Sequence, residues 1–222
     1  MVGLAAFDAL HERVWAALGE PGDWLDARAR REVVRAVRAS ASCAVCDRRA
    51  GVASPAMARA EHEPAPLLAA GLVDVAHRLT RDNARLGRSW ADGVMAVVGV
   101  GPYAEVVGIA AAVRVVDTFR RLTGRDPAAL PAPRPGDPPR ALPDSVGDVG
   151  AWVPQSLTKA RANVSRALSC VPRTDTRVWR PLVDAHYSRG AEFASFTWDR
   201  ALTRPQVELV AATVTWLNEC FY

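Results

Sequence analysis

Apolar residues recur every three or four positions over most of the chain, the spacing that brings side chains onto one face of a helix. No segment alternates apolar and polar residues between hairpin-type turns, as a half-buried strand would. The pattern therefore predicts an all-α protein. The clearest apolar stripes lie within residues 4–18, 33–41, 67–79, 106–116 and 207–217.

Residues with known capping preferences mark several helix ends. Asp26 precedes the second stripe and is a typical N-cap residue. Pro102 suits the first turn of the long central helix, which Gly124 would end. Thr203 and Gln206 have the spacing of a capping box, so the last helix should begin there.

A change of composition divides the chain. Residues 126–144 contain seven prolines, which exclude a helix interior and favour an extended linker. The sequence then predicts a helical domain over 1–125, a proline-rich linker over 126–156 and a further helical part over 157–222.

The last part of the chain echoes the second helix. In both places a glutamate is followed by a valine-rich turn and then by a cysteine, from Glu32 to Cys43 and from Glu208 to Cys220. The second occurrence stops two residues after its cysteine, at Tyr222. We therefore interpret residues 157–222 as a partial second copy of the helical unit.

Charge and hydropathy exclude several classes of protein. The 222 residues carry a formal net charge of +4, and half of them are hydrophobic, which is the balance of a globular protein. All the basic residues except Lys159 are arginines, and no five of them are consecutive. We therefore expect no nucleic-acid partner.

The sequence predicts neither a membrane span nor a leader. The apolar stretch over 94–116 is interrupted by Glu105 and Arg114, which a span would exclude. The first twenty residues carry charged side chains among the apolar positions and contain no apolar core. The resulting expectation is a cytoplasmic protein without a membrane partner.

Cys43 and Cys46 form a Cys-x-x-Cys pair, which is the main chemical signal in the sequence. In a cytoplasmic protein such a pair is typically redox-active or metal-binding. A helix that begins after Cys43, with arginines nearby, would stabilise a thiolate. A zinc site would need further ligands, for which His62, His77 or a neighbouring acid are available. An inert pair is the third interpretation.

Other polar residues near this pair have both a chemical and a structural interpretation. Glu32 lies on the helix that leads to the pair and is either a proton relay or an ion-pair partner of Arg28 or Arg35. His62 lies between charged residues and a proline, so it is either a solvated loop residue or a proton-transfer group. His77 follows Asp74 by one helical turn, which favours an interhelical hydrogen bond over catalysis.

Four further residues complete the set of candidates. Tyr103 and Glu105 begin the long helix and are expected to cap or pack, with a pocket position as the alternative. Cys170 falls in an amphipathic stretch and is expected to be a buried apolar residue. Cys220 is either a relic of the second copy or a third redox thiol.

Several motifs together resemble one known superfamily. The chain is similar to the AhpD-like, carboxymuconolactone decarboxylase-like superfamily, in particular to its peroxidase-related branch of alkylhydroperoxidases. In that branch the lead-in segments normally precede the cysteine motif, whereas their counterparts here follow it. The matching segments are Leu25–Glu32 with Cys43–Cys46, then Ala76–Asp82, Gly101–Gly108, Val116–Phe119 and Leu122–Gly124, and finally Asn163–Pro172, Leu202–Arg204 and Asn218–Tyr222.

The resemblance implies an all-helical bundle that reduces a peroxide, or another small-molecule substrate, through the cysteine pair. It implies that Cys46 attacks and that Cys43 resolves the oxidised intermediate and exchanges disulfides. It also implies no bound cofactor, an external dithiol protein as electron donor, and a homo-oligomer. This chain departs from the family pattern at Ala50, where a histidine is usual, and His62 is the candidate to replace it.

The favoured hypothesis is therefore a thiol-dependent oxidoreductase of the AhpD-like type, which reduces a peroxide or exchanges disulfides. Two alternatives belong to other classes. The chain is a ligand-binding or assembly member of the superfamily that lost the proton relay, as Ala50 suggests, or it is a lyase of the decarboxylase type. The cysteine pair favours the first hypothesis over the last, since the lyase branch does not generally need it.

Overall fold

The computed structural model describes residues 4–57, 61–158, 163–187, 192 and 201–217. The protein is mostly helical there, as predicted. The helices are α1 (Leu4–Leu18), α2 (Ala27–Ala39), α3 (Ala44–Ala50), α4 (Ala70–Arg81), α5 (Arg88–Val98), α6 (Val100–Leu122), α7 (Asn163–Arg166), α8 (Pro172–Thr174), α9 (Arg180–His186) and α10 (Arg204–Leu217). Short 3-10 turns span Ser40–Ser42, Pro55–Met57 and Asn83–Arg85, and a π-turn over Asp175–Trp179 joins α8 to α9. Two short strands, β1 (Val146–Gly147) and β2 (Gln155–Ser156), pair antiparallel with Val146 opposite Ser156.

The structure confirms the helix ends that Asp26 and Gly124 predicted. The Asp26 side chain accepts a hydrogen bond from the backbone N–H of Ala29 at 2.8 Å and so begins α2. Gly124 follows α6 with a φ of +70°, a conformation that suits glycine at a helix end. Gly99 separates α5 from α6 with a φ of +88°, which allows the sharp turn between these two helices.

The core forms where α2, α4 and α6 pack together. Their inward faces are rich in valine, and each helix repeats apolar residues every three or four positions. Each such side chain contributes about 1.5–3 kcal/mol when it is fully buried rather than exposed. Fully buried members of this core include Val33, Val75, Val106 and Ile109.

The part of the chain after the proline-rich segment packs against the same core. Val178 and Leu182 join the main apolar cluster, and Leu168 packs near Ala104 of α6 in a second one. Gly108 allows this approach, since a Cβ atom there would lie 2.7 Å from Cγ2 of Thr174. Both helical parts therefore contribute to one core. The domain boundaries at residues 125 and 156 remain predictions from the sequence.

The proline-rich segment contains no helix or strand over residues 125–143, and it is bound to the helical body. The backbone N–H of Arg134 donates to the carbonyl of Gly19 at 2.7 Å, and that of Arg140 donates to the carbonyl of Asp23 at 2.8 Å. The indole N–H of Trp15 donates to the carbonyl of Ala129 at 2.7 Å. The segment therefore lies along the end of α1 as a fixed strap rather than as a free spacer.

The last helix begins as predicted but is not packed as its pattern suggests. The Gln206 side chain accepts the backbone N–H of Thr203 at 2.8 Å, which is half of the expected capping box. None of the residues in α10 is buried within the described part of the chain. Most of its apolar side chains are exposed, and Trp216 is 75% accessible, whereas Val207 and Ala211 are partly buried.

No single helix among the described residues has both the length and the apolar character needed to cross a membrane. Helices α5 and α6 meet that criterion only as a pair, and they are bent by 117° at their junction.

Candidate functional site

The cysteine pair lies at the start of α3, directly after the core helix α2. A 3-10 turn, Ser40–Ser42, ends the run of α2, and Cys43 then has an extended backbone at the N-cap of α3. Cys46 follows one turn later within α3, and side chains three residues apart lie on one face of a helix. The local structure therefore directs both sulfurs toward the same neighbours.

Two histidines from different segments contact these two sulfurs. Nδ1 of His62, in the loop before α4, lies 3.3 Å from Sγ of Cys43. Nδ1 of His77, on α4, lies 3.4 Å from Sγ of Cys46. The two imidazole rings are 4.1 Å apart between centroids, and all four side chains offer a donor atom within 4.8 Å of the others.

Asp74 orients the His62 ring from the opposite side. Its Oδ1 lies 3.1 Å from Nε2 of His62, and Arg49 donates to the same oxygen at 2.5 Å. The indole N–H of Trp90 donates to Oδ2 of Asp74 at 3.2 Å. Arg49 also lies 3.1 Å from Nε2 of His62. In the tautomer whose Nε2 donates to the carboxylate, Nδ1 accepts the Cys43 S–H, and in the imidazolium Nδ1 donates to the Cys43 thiolate.

The two sulfurs differ in their access to solvent. Cys46 and His77 are each 5% exposed, whereas Cys43 is half-buried. A cavity of about 540 Å³ opens beside Cys43, and His77 and Glu32 also line it. The remaining walls come mainly from the end of α2 and from the loop over 61–66. A small substrate entering this cavity would meet Cys43 first.

The surroundings also separate the acidities of the two thiols. Burial alone would raise the pKa of Cys43, but the backbone amide of Cys46 and the His62 imidazole outweigh it and lower that pKa. Burial, followed by the neighbouring Cys43 sulfur, raises the pKa of Cys46 to about 12. Of the two thiols, Cys43 is therefore the one that loses its proton more readily.

The two histidines are separated in the same way. Burial disfavours the charged form of His62, but Asp74 and Cys43 raise its pKa overall. Burial, followed by the charge on His62, lowers the pKa of His77 to about 4. Burial of Asp74 is opposed by hydrogen bonds from His62 and Arg49, which hold its pKa well below the usual range. His62 therefore binds a proton more readily than His77 does.

Glu32 shares the cavity wall with Cys43, and its carboxylate is paired as one interpretation of the sequence proposed. Arg35, one turn later on α2, donates to it at 2.7 Å. The Arg35 side chain is 53% exposed and that of Glu32 is 11% exposed, so this ion pair lies between the cavity wall and solvent. Glu32 is therefore placed to contact a ligand in the cavity.

Tyr103 and Glu105 lie elsewhere in the fold. The Glu105 carboxylate is fully buried, pairs with the Arg30 guanidinium and accepts the backbone N–H of Trp24 at 2.6 Å. Tyr103 packs edge-on against Trp90, with 6.3 Å between ring centroids. Neither residue lines the cavity beside Cys43, so the capping and packing interpretation fits both.

The third cysteine that the structure describes, Cys170, is not part of the cluster. Cys170 is fully buried in the second apolar cluster, as predicted, and burial raises its pKa to about 12. Cys220 lies outside the described residues, so both interpretations of it remain predictions.

Sequence reasoning missed the groups that support the histidines. Asp74, Arg49 and Trp90 hold one another and His62, yet they come from three different helices. The only local signal was the one-turn spacing of Asp74 and His77 on α4. That spacing places both side chains on one face, toward the cysteine pair.

A comparison of the chain with models of known protein families, with curated proteins and with solved structures finds no match.

Proposed function

We propose that this protein is a thiol oxidoreductase of the AhpD-like type, which reduces a hydroperoxide or exchanges disulfides through Cys43 and Cys46. One observation carries the proposal. Each thiol of the Cys-x-x-Cys pair lies within 3.4 Å of its own imidazole, and one of the two thiols lines a cavity. Such an arrangement supplies a thiolate, a proton donor and a resolving thiol at one place.

The first step is an attack by Cys43 on the peroxide. Its thiolate attacks the outer oxygen of the hydroperoxide and displaces the alkoxide, so a sulfur–oxygen bond forms and the oxygen–oxygen bond breaks. The sulfur is oxidised to a sulfenic acid, and the alkoxide leaves as an alcohol after it takes a proton. The imidazolium of His62, held by Asp74, is the nearest source of that proton.

The second step joins the two cysteines. The Cys46 thiol passes its proton to neutral His77, and its sulfur attacks the sulfenic acid of Cys43. The disulfide forms, and the hydroxyl group leaves as water after taking up a proton. An external dithiol protein then reduces the disulfide by exchange, which returns both cysteines to the starting state.

This order of attack is the reverse of the one that the family resemblance implies. The resemblance gives the first attack to Cys46, but that sulfur is 5% exposed and its pKa is raised to about 12. Cys43 is the more accessible sulfur and lines the cavity. We therefore assign the nucleophile to Cys43 and the resolving thiol to Cys46.

Two further proposals concern the setting of this activity. The exposed apolar side chains of α10 support a homo-oligomer, because a large apolar patch on a folded chain typically marks an interface. The predicted electron donor, an external dithiol protein, and the predicted cytoplasmic location remain proposals as well.

Peroxide consumption in the presence of a dithiol regenerating system tests the function. Wild type should consume the peroxide, Cys43→Ser should not, and Cys46→Ser should accumulate a sulfenic acid at Cys43 that a dimedone-type probe labels. Cys170→Ala is the matched control, since it removes a buried thiol outside the cluster. Equal slow consumption by wild type and Cys43→Ser would exclude the proposal.

A further inference from the structure

We infer that the reduced site also binds one Zn²⁺ ion between Cys43, Cys46, His62 and His77, and that bound zinc and the disulfide are mutually exclusive states. The binding does not depend on the proposed function, whereas the release of zinc on oxidation does.

The spacing of the four donors suits a tetrahedral ion. Zinc takes thiolate sulfur at about 2.3 Å and imidazole nitrogen at about 2.0–2.1 Å, so a tetrahedron places sulfur and nitrogen about 3.5 Å apart. The two measured sulfur–nitrogen distances are 3.3 Å and 3.4 Å, and no two of the four donors need be more than 4.8 Å apart. The ion would fit with only small movements of the side chains.

The surroundings already provide the outer hydrogen bond of such a site. A histidine that binds zinc through one nitrogen typically donates its other N–H to a carboxylate, which fixes the ring. Nε2 of His62 lies 3.1 Å from Asp74, and this leaves Nδ1 directed at the cluster. Asp74 is fixed in turn by Arg49 and Trp90.

Charge and donor chemistry select the ion. Two thiolates neutralise Zn²⁺, and Arg49 neutralises Asp74, so the partly buried site carries no net charge when zinc is bound. Thiolate and imidazole donors favour zinc over calcium or magnesium, which take oxygen ligands. The four residues of the cluster offer no oxygen donor.

Oxidation removes the two strongest ligands. The two thiolates together give two electrons to a hydroperoxide, whose oxygen–oxygen bond breaks while the sulfur–sulfur bond forms. Two protons from solvent complete an alcohol and a water, and the disulfide that remains is a poor ligand for zinc. Zinc would therefore leave on oxidation and, while bound, would slow the attack on peroxide.

Zinc titration of the reduced, metal-stripped full chain against a chromophoric chelator tests the inference. We expect one zinc per chain for wild type, for Cys170→Ala and for Cys220→Ser, and a loss of binding for Cys46→Ser and His77→Ala. Asp74→Asn keeps all four ligands and should weaken binding about 10- to 100-fold. If a ligand variant fails to fold, His77→Cys decides, since it should retain Co²⁺ with stronger sulfur-to-cobalt absorption.

The outcomes separate the metal from the redox chemistry. Zinc bound at one equivalent and released by one equivalent of hydroperoxide supports both halves of the inference. A one-to-one zinc complex in a chain that forms no disulfide supports the binding and excludes the proposed function. A chain that forms the disulfide but binds no zinc, or whose zinc is lost in Cys220→Ser and kept in His77→Ala, overturns the inference.

Discussion

The four histidines of the chain form two pairs, and their surroundings differ. His62 and His77 lie beside two thiols and the Asp74 carboxylate. His11 and His186 contact each other, with 2.7 Å between their Nε2 atoms. Two phenylalanine rings flank that second pair, with Phe7 4.9 Å from His186 and Phe119 4.7 Å from His11 between ring centroids.

The pKa of His62 is shifted in the opposite direction from the pKa values of the other three histidines. Burial, followed by repulsion from His186, lowers the pKa of His11 to about 4, and burial also lowers that of His186. At His62 the carboxylate and the thiol outweigh burial and raise the pKa. A histidine therefore holds its proton more readily where a hydrogen-bonded carboxylate faces it, as Asp74 faces His62, and this favours His62 for acid–base chemistry.

The largest expected effect is the response of His11 to acid. His11 has a pKa of about 4 when folded and about 6.5 when unfolded, so the unfolded chain binds more protons between these values. The free energy of unfolding should fall as the pH drops from 6.5 toward 4, by roughly 3 kcal/mol for this group. Urea unfolding at several pH values measures it.

His11→Phe is the control for that acid sensitivity. It keeps a ring between Phe7 and Phe119 and removes the proton-binding group, at a cost of about 1 kcal/mol for the lost hydrogen bond to His186. The variant should therefore lose less stability than wild type between pH 6.5 and pH 4. Parallel pH profiles for the two proteins would contradict the role assigned to the second pair.

A smaller effect is expected at the first pair. Asp74→Asn removes the counter-charge of His62, so the imidazolium no longer stabilises the Cys43 thiolate as strongly. A hydrogen bond to a charged group contributes about 1.5–3 kcal/mol, so alkylation of Cys43 at pH 7 in chelator-treated protein should slow about tenfold or more. Mass spectrometry of the iodoacetamide product gives the rate.

Asp8→Asn is the matched control, because Asp8 lies near His11 and pairs with Arg125 at 2.5 Å. It should leave the Cys43 rate unchanged. If both aspartate variants slow alkylation equally, the carboxylate acts through general stability and not through His62.

The smallest effect is expected for Glu32→Gln. The carboxylate is paired with the half-exposed Arg35, and such an ion pair contributes at most about 1 kcal/mol. Removing its charge should change the free energy of unfolding by less than about 1 kcal/mol and the Cys43 alkylation rate by less than about fivefold. Arg35→Gln is the companion variant, and a much larger loss of peroxide turnover in Glu32→Gln than in Arg35→Gln would favour the proton relay over the ion pair.

The helices were predictable because their signals are local. Asp26 caps α2, and the stripe of valines on α2 faces the core, as the three- and four-residue spacing indicated. The packing of α10 was not predictable, since its stripe has the same spacing but stays exposed in the described structure. Spacing shows which face of a helix is apolar, but not what covers that face.

The site was predictable only in part for a related reason. The cysteine pair and the two histidines were candidates because their chemistry is rare, but the loop interpretation of His62 left its contact with Cys43 open. That contact depends on where the segment before α4 places the His62 ring, which the sequence pattern does not show. The ion pair of Arg30 with Glu105 in the core was not predictable from the sequence. Helix α2 contains several arginines, and sequence spacing does not distinguish a buried guanidinium from a solvated one.

The proline-rich segment over residues 126–144 also indicates where the chain can be cut without loss of the fold. Backbone hydrogen bonds on both sides of Gly136, from Arg134 to Gly19 and from Arg140 to Asp23, hold it to the connection between α1 and α2. A break of the chain at Gly136 would remove none of these bonds and none of the core contacts of Val178 and Leu182. Two fragments that meet there should therefore complement one another when they are produced together, with the thiol site carried entirely by the first.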